Sequence, residues 1–250
     1  MDLKMRLSKG IPKSKSGGIP AVLKKLESAS HHIMTIANLV LMGILLFTIF
    51  IVMIFPHPIQ RTLYQVSITC ILIAAFFCIN MRRRRYMRWI FIAVIIIQWA
   101  YQLTGDVVMN GFSKSSTICL FVVIAIWLVK QAAYSKTVTR IVILESVNGY
   151  LMIGMLYSIV IALVILLDPS AYHFQDPITG SAGLLTHFDE CLYYGFSALT
   201  TVTYGDVLPI SPVAKSLSAA MGLTGQMYVA VIIAMLVGKY AGRNKELDKK

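Results

Sequence analysis

The sequence contains few charged residues, and its long apolar stretches contain almost none. Charged residues make up 14% of the 250-residue chain and hydrophobic residues 57%, with a mean hydropathy of +0.73. A soluble domain of this length keeps much of its surface in water, and this composition cannot cover that surface with polar groups. The composition therefore excludes an ordinary soluble protein and indicates one embedded in lipid.

The chain also lacks the residue patterns of catalytic and metal sites. No HExxH sequence, Ser/His/Asp set or pair of carboxylates occurs within the apolar stretches. The four cysteines form no CxxC pair, and three of them lie in apolar stretches, where a free thiol behaves as a small hydrophobic group. We therefore expect a protein that is not an enzyme and that holds no cofactor.

Acidic residues are scarce as well. The 11 Asp and Glu residues face 23 Lys and Arg residues, which gives a formal net charge of +12. Such a charge can indicate nucleic-acid binding, but here the basic residues lie at the ends of apolar stretches. That distribution is typical of a membrane protein, and we expect no nucleic-acid partner.

Six apolar stretches are long enough to cross a membrane. A helix needs about 20 apolar residues to span the hydrocarbon core, and its backbone groups must be paired within the segment. The predicted fold is therefore an all-α membrane protein with six transmembrane helices. The stretches are roughly 33–55, 62–80, 86–104, 117–134, 140–167 and 213–238.

The basic residues predict the orientation of these helices. All but three of the 23 fall in the two tails, between helices two and three, or between helices four and five. Cytoplasmic segments carry an excess of Lys and Arg, so both termini are predicted to be cytoplasmic, in a multi-pass protein of the plasma (inner) membrane. The run Arg82, Arg83, Arg84 and Arg85 lies at a cytoplasmic helix end, where it would bind anionic lipid headgroups.

A recognisable motif lies between the fifth and sixth stretches. Residues 192–206 read LYYGFSALTTVTYGD and lie within a 45-residue stretch, 168–212, that is too polar overall to span. This motif resembles the pore helix and selectivity filter of the potassium channel family, whose pattern TTVGYGD it matches at six of seven positions. The resemblance covers residues 140–240 and implies a re-entrant pore helix, near 187–200, followed by a filter. Residues 201–206 are called the filter segment below.

The resemblance implies how a cation would be bound. In a narrow filter, backbone carbonyls replace the water shell of the ion. The implied potassium ligands are the carbonyls of Thr201, Val202, Thr203 and Tyr204, followed by Gly205, with the Thr201 hydroxyl at the inner end. One chain supplies one such loop, so four chains are needed, which predicts a homotetramer around one pore. The residues expected to support the filter are Tyr193, Tyr194, Ser197, Thr200 and Asp206, the two tyrosines having an alternative role at the membrane interface.

One position departs from the family pattern. Thr203 stands where the family has a glycine with a left-handed backbone, and a β-branched residue at positive φ is strained. If the carbonyl orientation changed as a result, discrimination between potassium and sodium would weaken. A weakly selective monovalent cation channel is therefore the alternative to a potassium channel. Thr203→Gly is expected to sharpen selectivity.

Two capping residues and one glycine are expected to shape the helices around the filter. Thr186 and Asp189 have the spacing of a capping box at the start of the pore helix. Gly225 falls where the family has a hinge glycine in its inner helix, although close helix packing is the other interpretation.

The last helix also carries a regular face. Gln226, Ala230, Ile233 and Val237 recur at helical spacing and share one side. If that side lines the cavity, Gln226 offers polar groups to a hydrated ion. Ile233 and Val237 then form a hydrophobic constriction.

The preceding helices have no identifiable role. The fourth stretch lacks the regularly spaced arginines of a voltage sensor, so strong voltage dependence is not expected. Glu145 and Asn148 lie near the inner end of helix five, where pairing with Arg140 or Arg243 is expected. A secondary transporter or potassium-uptake subunit is a further alternative, although no repeat of the re-entrant segment is found. The predicted units are a basic tail (1–30), a four-helix membrane domain (31–136), a pore domain (137–240) and a cytoplasmic tail (241–250).

Overall fold

The computed structural model describes residues 34–78, 84–104, 107–134, 139–174 and 188–247. Within these residues the chain forms long helices and one short two-stranded sheet. The helices are α1 (Met34–Ile54), α2 (His57–Cys78), α3 (Arg84–Thr104), α4 (Val107–Tyr134), α5 (Arg140–Leu167), α6 (Phe188–Leu199) and α7 (Pro212–Leu247). The strands are β1 (Tyr172–His173) and β2 (Leu208–Pro209).

Three of these helices are long and apolar enough to cross a membrane. They comprise α1, most of α5 (Ile141–Leu167) and the first two thirds of α7 (Pro212–Met235). Shorter apolar segments occur in α2, α3 and α4 (Thr62–Cys78, Trp89–Trp99 and Ser115–Gln131). The structure therefore supports an all-α membrane protein, while the count of six spans stays a prediction.

The end of α1 shows why it does not continue into α2. Its last turns widen into a π-helix at Phe47–Ile51 and then tighten into a 3-10 helix at Val52–Ile54. Pro56 follows, and a residue that precedes proline is restricted to extended backbone, as Phe55 is at ψ 152°. The chain consequently turns at Phe55 and Pro56 before α2 begins.

Helix α5 joins the N-terminal helices to the rest of the chain. It packs against α4, α6 and α7. It also contacts α1, because the buried amide of Asn148 donates to the Asn38 carbonyl at 2.9 Å. Met152, Met155 and Ile161 on α5 are completely buried. The core therefore runs along α5, with α6 held on one side of it.

The two short strands close the loop around α6. They pair antiparallel, with Tyr172 opposite Pro209 and His173 opposite Leu208. The Ile210 amide also donates to the Ala171 carbonyl at 2.8 Å. The chain that leaves α5 is thereby tied to the chain that enters α7, and the two ends of the intervening segment are held together.

Several predicted boundaries can be compared with the structure. The predicted pore helix near 187–200 corresponds to α6, at Phe188–Leu199. Helix α7 continues to Leu247, into the segment that was expected to be a tail. Thr186, the N-terminal tail at 1–30 and the side chains of Arg82 to Arg85 lie outside the described part of the chain, so the capping box and the lipid site stay predictions.

Candidate functional site

Helix α6 is largely buried against α5. Its buried residues include both aromatic and small side chains, among them Gly195. A Cβ atom added to Gly195 would lie 2.6 Å from the Ser158 hydroxyl oxygen, and one added to Gly154 would lie 2.4 Å from the Phe196 ring. Small residues that let two helices approach this closely are typical of membrane proteins. The position of α6 is therefore set by direct contact with α5.

The filter segment is hydrogen-bonded to the C-terminal end of α6. The Ser197 carbonyl accepts hydrogen bonds from the amides of both Val202, at 3.0 Å, and Thr203, at 3.3 Å. The Thr201 amide donates to the Ala198 carbonyl at 3.1 Å. These bonds turn the chain back immediately after the helix and satisfy carbonyls that the helix itself leaves unpaired.

Every second residue of the filter segment has a left-handed backbone. The φ angles are 61° at Thr201, 36° at Thr203 and 84° at Gly205, whereas Val202 and Tyr204 have no positive φ. In an extended strand, successive carbonyls point to opposite sides. Alternation of left-handed and ordinary backbone is the geometry by which successive carbonyls can share one side. The alternating sign of φ in the segment is therefore compatible with carbonyls that share one side.

Two of these left-handed residues are threonines, which is energetically unfavourable. β-Branched residues at positive φ are rare, and each such conformation costs about 1–3 kcal/mol. Strain of this kind persists only where the surroundings impose it, and it concentrates at functional sites. The sequence leaves two outcomes open at Thr203, strain held by the surroundings or a changed carbonyl orientation. Its φ of 36° shows a left-handed backbone at this position, and the orientation of the carbonyl stays a prediction.

The carbonyl oxygens of the filter segment are available to a ligand. From the described residues, those of Thr201, Val202, Thr203 and Tyr204 accept no hydrogen bond. All four residues are exposed in the single chain. Buried carbonyls are normally paired, so if further copies of the chain enclose this row, it needs a cation or water as its partner.

The outer end of the segment is held by Tyr193. Its hydroxyl donates to Oδ2 of Asp206 at 2.5 Å, and its ring stacks on that of Tyr204 with centroids 6.3 Å apart and planes 9° apart. The hydrogen bond from Tyr193 lowers the pKa of the Asp206 carboxyl below its ordinary value. The same bond raises the pKa of Tyr193 to about 12, so the hydroxyl keeps its proton near neutral pH.

Tyr194 connects α6 to the strands and to α7. Its hydroxyl lies 2.6 Å from the Ser218 hydroxyl, and its ring meets the Tyr172 ring edge-on at 5.2 Å. The residue is buried, with 4% of its surface exposed. This burial favours the predicted supporting role over a place in an interfacial belt, where a tyrosine contacts lipid headgroups.

The inner end of the segment contacts α7 through Gln226. The Gln226 side-chain amide donates to the Thr201 hydroxyl oxygen at 3.0 Å, and that hydroxyl donates to the Thr200 carbonyl at 2.6 Å. Because the hydroxyl proton is directed to Thr200, its oxygen must be the acceptor toward Gln226. Sequence reasoning placed Gln226 in the cavity but did not predict this contact.

Gly225 lies against the end of α6. A Cβ atom at this position would be 1.8 Å from the Leu199 carbonyl oxygen and 2.8 Å from the Leu199 carbonyl carbon. Both atoms belong to the backbone and cannot move aside. Of the two interpretations of Gly225, close packing thus has a direct structural cause, and the hinge stays a prediction.

The predicted cavity face of α7 is not covered within one chain. Gln226, Ala230, Ile233 and Val237 are all exposed, Ile233 by 55% and Val237 by 61%. Within the most apolar 18 residues of each helix, 11% are buried in α7, compared with 44% in α5. An apolar helix this bare needs lipid or further protein as its neighbour.

Three side-chain contacts around α5 were not predicted as such. The Tyr228 hydroxyl donates to the Ser146 carbonyl at 2.6 Å, which fixes α7 on α5. The Gln131 amide donates to the Glu145 carboxylate, which links α4 to α5. The side chains of Arg140 and Arg243 lie outside the described part, so their predicted pairing with Glu145 or Asn148 is untested. Asn148 contacts Asn38, as described above.

The comparison with known families agrees with this geometry. Residues 159–241 match a family model described as "Ion channel" (Ion_trans_2). The matched region contains the end of α5, all of α6, the filter segment and most of α7. It supports an ion channel domain in this part of the chain. Searches of the curated proteins and of the solved structures gave no match.

Proposed function

We propose that the protein is a potassium-conducting channel in which four identical chains place their filter segments around one axis. The alternating left-handed backbone at Thr201, Thr203 and Gly205 is the observation on which this proposal depends. It supports a row of unpaired carbonyls at Thr201 to Tyr204 that replaces the hydration shell of potassium. Transport is passive, and the permeant ion is the only bound species the proposal requires.

The exposed surfaces support assembly into a tetramer. Val202 and Tyr204 expose 51% and 73% of their surface in the single chain, although they are apolar or aromatic. The apolar part of helix α7 is also mostly exposed in the single chain. One loop of carbonyls covers one side of an ion, so a closed ring of copies is needed to surround it. The same ring would cover the exposed residues of α7 around a cavity lined by Gln226 and Ala230.

A weakly selective monovalent cation channel is the second candidate. It is favoured by Thr203, whose φ of 36° lies at the lower edge of the left-handed region rather than near the glycine value of 84° at Gly205. A shifted peptide plane moves its carbonyl oxygen, and selectivity depends on the number and field strength of those oxygens. The two candidates differ in selectivity but share the same pore.

A potassium-uptake subunit or secondary transporter is less well supported. Such proteins bind substrate at broken helices found in corresponding halves of the chain. The described residues contain one re-entrant helix, α6, and no second copy of it. A filter segment with exposed, unpaired carbonyls also suits rapid passage of ions through a channel better than tight binding of a substrate in a transporter.

Recording from purified protein in a planar lipid bilayer tests the proposal. With potassium on one side and sodium on the other, we expect unitary currents and a reversal potential that favours potassium. A reversal potential near zero would identify the weakly selective channel. Slow, saturating flux without unitary currents would indicate a transporter, and protein that stays monomeric in both detergent and lipid would exclude the shared pore.

We also propose a membrane location, an orientation and a lipid contact for the channel. The channel lies in the plasma membrane with both termini in the cytoplasm, and opens without strong voltage dependence. Arg82 to Arg85 bind anionic lipid at the inner surface. Current–voltage records from bilayers with and without anionic lipid test both statements, because a steep voltage dependence or an unchanged current in anionic lipid would contradict them.

A further inference from the structure

The Thr201 hydroxyl lies at the inner end of the filter segment and is engaged in two hydrogen bonds. It donates to the Thr200 carbonyl at 2.6 Å and accepts from the Gln226 amide at 3.0 Å. A hydroxyl group has one proton and two lone pairs, so a single lone pair remains for any other ligand. Gln226 therefore shares the oxygen that would face a cation at this end.

The amide of Gln226 carries partial positive charge at its N–H group. In a tetramer, four such groups would surround the innermost cation position, each 3.0 Å from a Thr201 hydroxyl oxygen. Charges and dipoles interact strongly in a narrow pore, where water screens them poorly. The four donors consequently oppose a cation that binds at the hydroxyl ring.

We propose that Gln226 weakens cation binding at the innermost position of the filter by donating to the Thr201 hydroxyl, and so favours release of the ion into the cavity. The inference rests on the proposed function, because it requires four copies around a cation. Gln226 acts through Thr201 and is a positioning residue. This effect differs from the role predicted from the sequence, in which Gln226 itself offers polar groups to a hydrated ion.

Block by cytoplasmic Ba²⁺ measures the proposed effect. Ba²⁺ has twice the charge of K⁺ and binds at the same kind of oxygen ring, so its block reports the affinity of the innermost position. Gln226→Met keeps the length of the side chain and removes the donor. We expect Ba²⁺ block of this variant to be tighter than that of the unmodified channel by about tenfold or more, because the substitution removes all four donors around the position.

A double-mutant cycle separates this mechanism from a general change in the cavity. Thr201→Ser keeps the hydroxyl and Thr201→Ala removes it, while both remove the methyl group. The tightening caused by Gln226→Met should persist in the Thr201→Ser background and disappear in the Thr201→Ala background. Met227→Leu, next to Gln226 but 57% exposed and without a hydrogen bond to the filter segment, is the matched control and should leave block unchanged.

The outcomes distinguish the inference from the proposed function. Unitary currents with unchanged or weaker Ba²⁺ block in Gln226→Met would overturn the inference and leave the channel intact. An equal tightening in the Thr201→Ala background would also overturn it, because the amide would then act without the hydroxyl. Absence of unitary currents from the unmodified protein would instead contradict the proposed function.

Discussion

The hydroxyl of Tyr193 on α6 donates a hydrogen bond to Oδ2 of Asp206, thirteen residues later, at 2.5 Å. This contact joins the helix to the Asp206 end of the filter segment. The stacked ring of Tyr204 completes the connection. The bond depends on the ionised form of Asp206, which makes the outer end of the segment sensitive to pH.

Replacing Tyr193 with phenylalanine should move this sensitivity to higher pH. The bond from Tyr193 lowers the pKa of Asp206, so its stabilising effect is present above the ordinary Asp value of 3.8 and is lost as the pH falls through the lowered pKa. Without the bond the pKa returns toward that ordinary value. In bilayer recordings, the loss of current on outer acidification should therefore begin at higher pH in Tyr193→Phe.

Tyr194→Phe is the control for this prediction. It removes the neighbouring hydroxyl, which contacts Ser218 rather than Asp206. In Tyr194→Phe, the loss of current on outer acidification should begin at the same pH as in the unmodified channel. An identical shift in both variants, or in neither, would argue against the role assigned to Tyr193.

Gly225→Ala should strongly destabilise the protein, whereas Gly222→Ala should not. The added Cβ atom would lie 1.8 Å from the Leu199 carbonyl oxygen at position 225, but its nearest neighbour at position 222 would be 3.7 Å away. Overpacking of this kind costs about 1–3 kcal/mol. Thermal unfolding in detergent, followed by size-exclusion chromatography, compares the two variants. If Gly225→Ala keeps full stability and changes only the open probability, the hinge interpretation is favoured instead.

Thr203→Gly should relieve strain and sharpen selectivity. Glycine adopts positive φ without steric cost, so about 1–3 kcal/mol per chain is regained in thermal stability. The potassium-to-sodium permeability ratio, read from bi-ionic reversal potentials, should rise. An unchanged or lower ratio would mean that Thr203 does not limit selectivity.

Gly205→Ala is the converse of Thr203→Gly. Nothing lies within 4 Å of its added Cβ atom, yet its φ is 84°. Loss of stability in this variant would therefore arise from backbone strain alone. Full stability would show that a side chain at this positive φ adds no measurable strain to the segment.

The buried amides of Asn38 and Asn148 should couple α1 to the C-terminal helices. Asn148 donates to both the main-chain carbonyl and the side-chain oxygen of Asn38, at 2.9 and 3.2 Å. Hydrogen bonds between membrane helices contribute about 1 kcal/mol. Asn38→Ala and Asn148→Ala should therefore show non-additive losses of unfolding free energy in bicelles.

Thr48→Val provides the comparison on the same helix. The Thr48 hydroxyl is buried and bonds the Ile44 carbonyl within α1, so its loss removes no contact between helices. Its effect should add to that of Asn148→Ala. Strict additivity for the Asn38 and Asn148 pair would contradict the proposed coupling.

Val237→Asp should raise the open probability if the exposed apolar face of α7 closes the pore. Val237 and Ile233 would form a hydrophobic ring that excludes water, and a carboxylate would hydrate it. Single-channel open probability measures the effect, with Val237→Leu as the apolar control. A gate elsewhere is indicated if the aspartate variant opens and closes as the unmodified channel does.

The sequence by itself determined the membrane class and the approximate helices, and it singled out residues 201–206 as the candidate site. These features depend on local properties: long apolar runs are excluded from water, and the motif at 201–206 is a short continuous run that resembles a family pattern. The expectation of strain at Thr203 followed from the resemblance, because the family has a left-handed glycine at that place in the motif. All of these inferences concern residues that are close together in the chain.

Only the tertiary structure decided which distant residues meet. Gln226 reaches Thr201 across 25 positions, Asn148 reaches Asn38 across 110, and Gly225 lies against Leu199. Periodicity places Gln226 on a helix face but does not say how far that face lies from the filter. Such contacts depend on how closely helices approach and at what angle, which is set by the packing of many side chains at once.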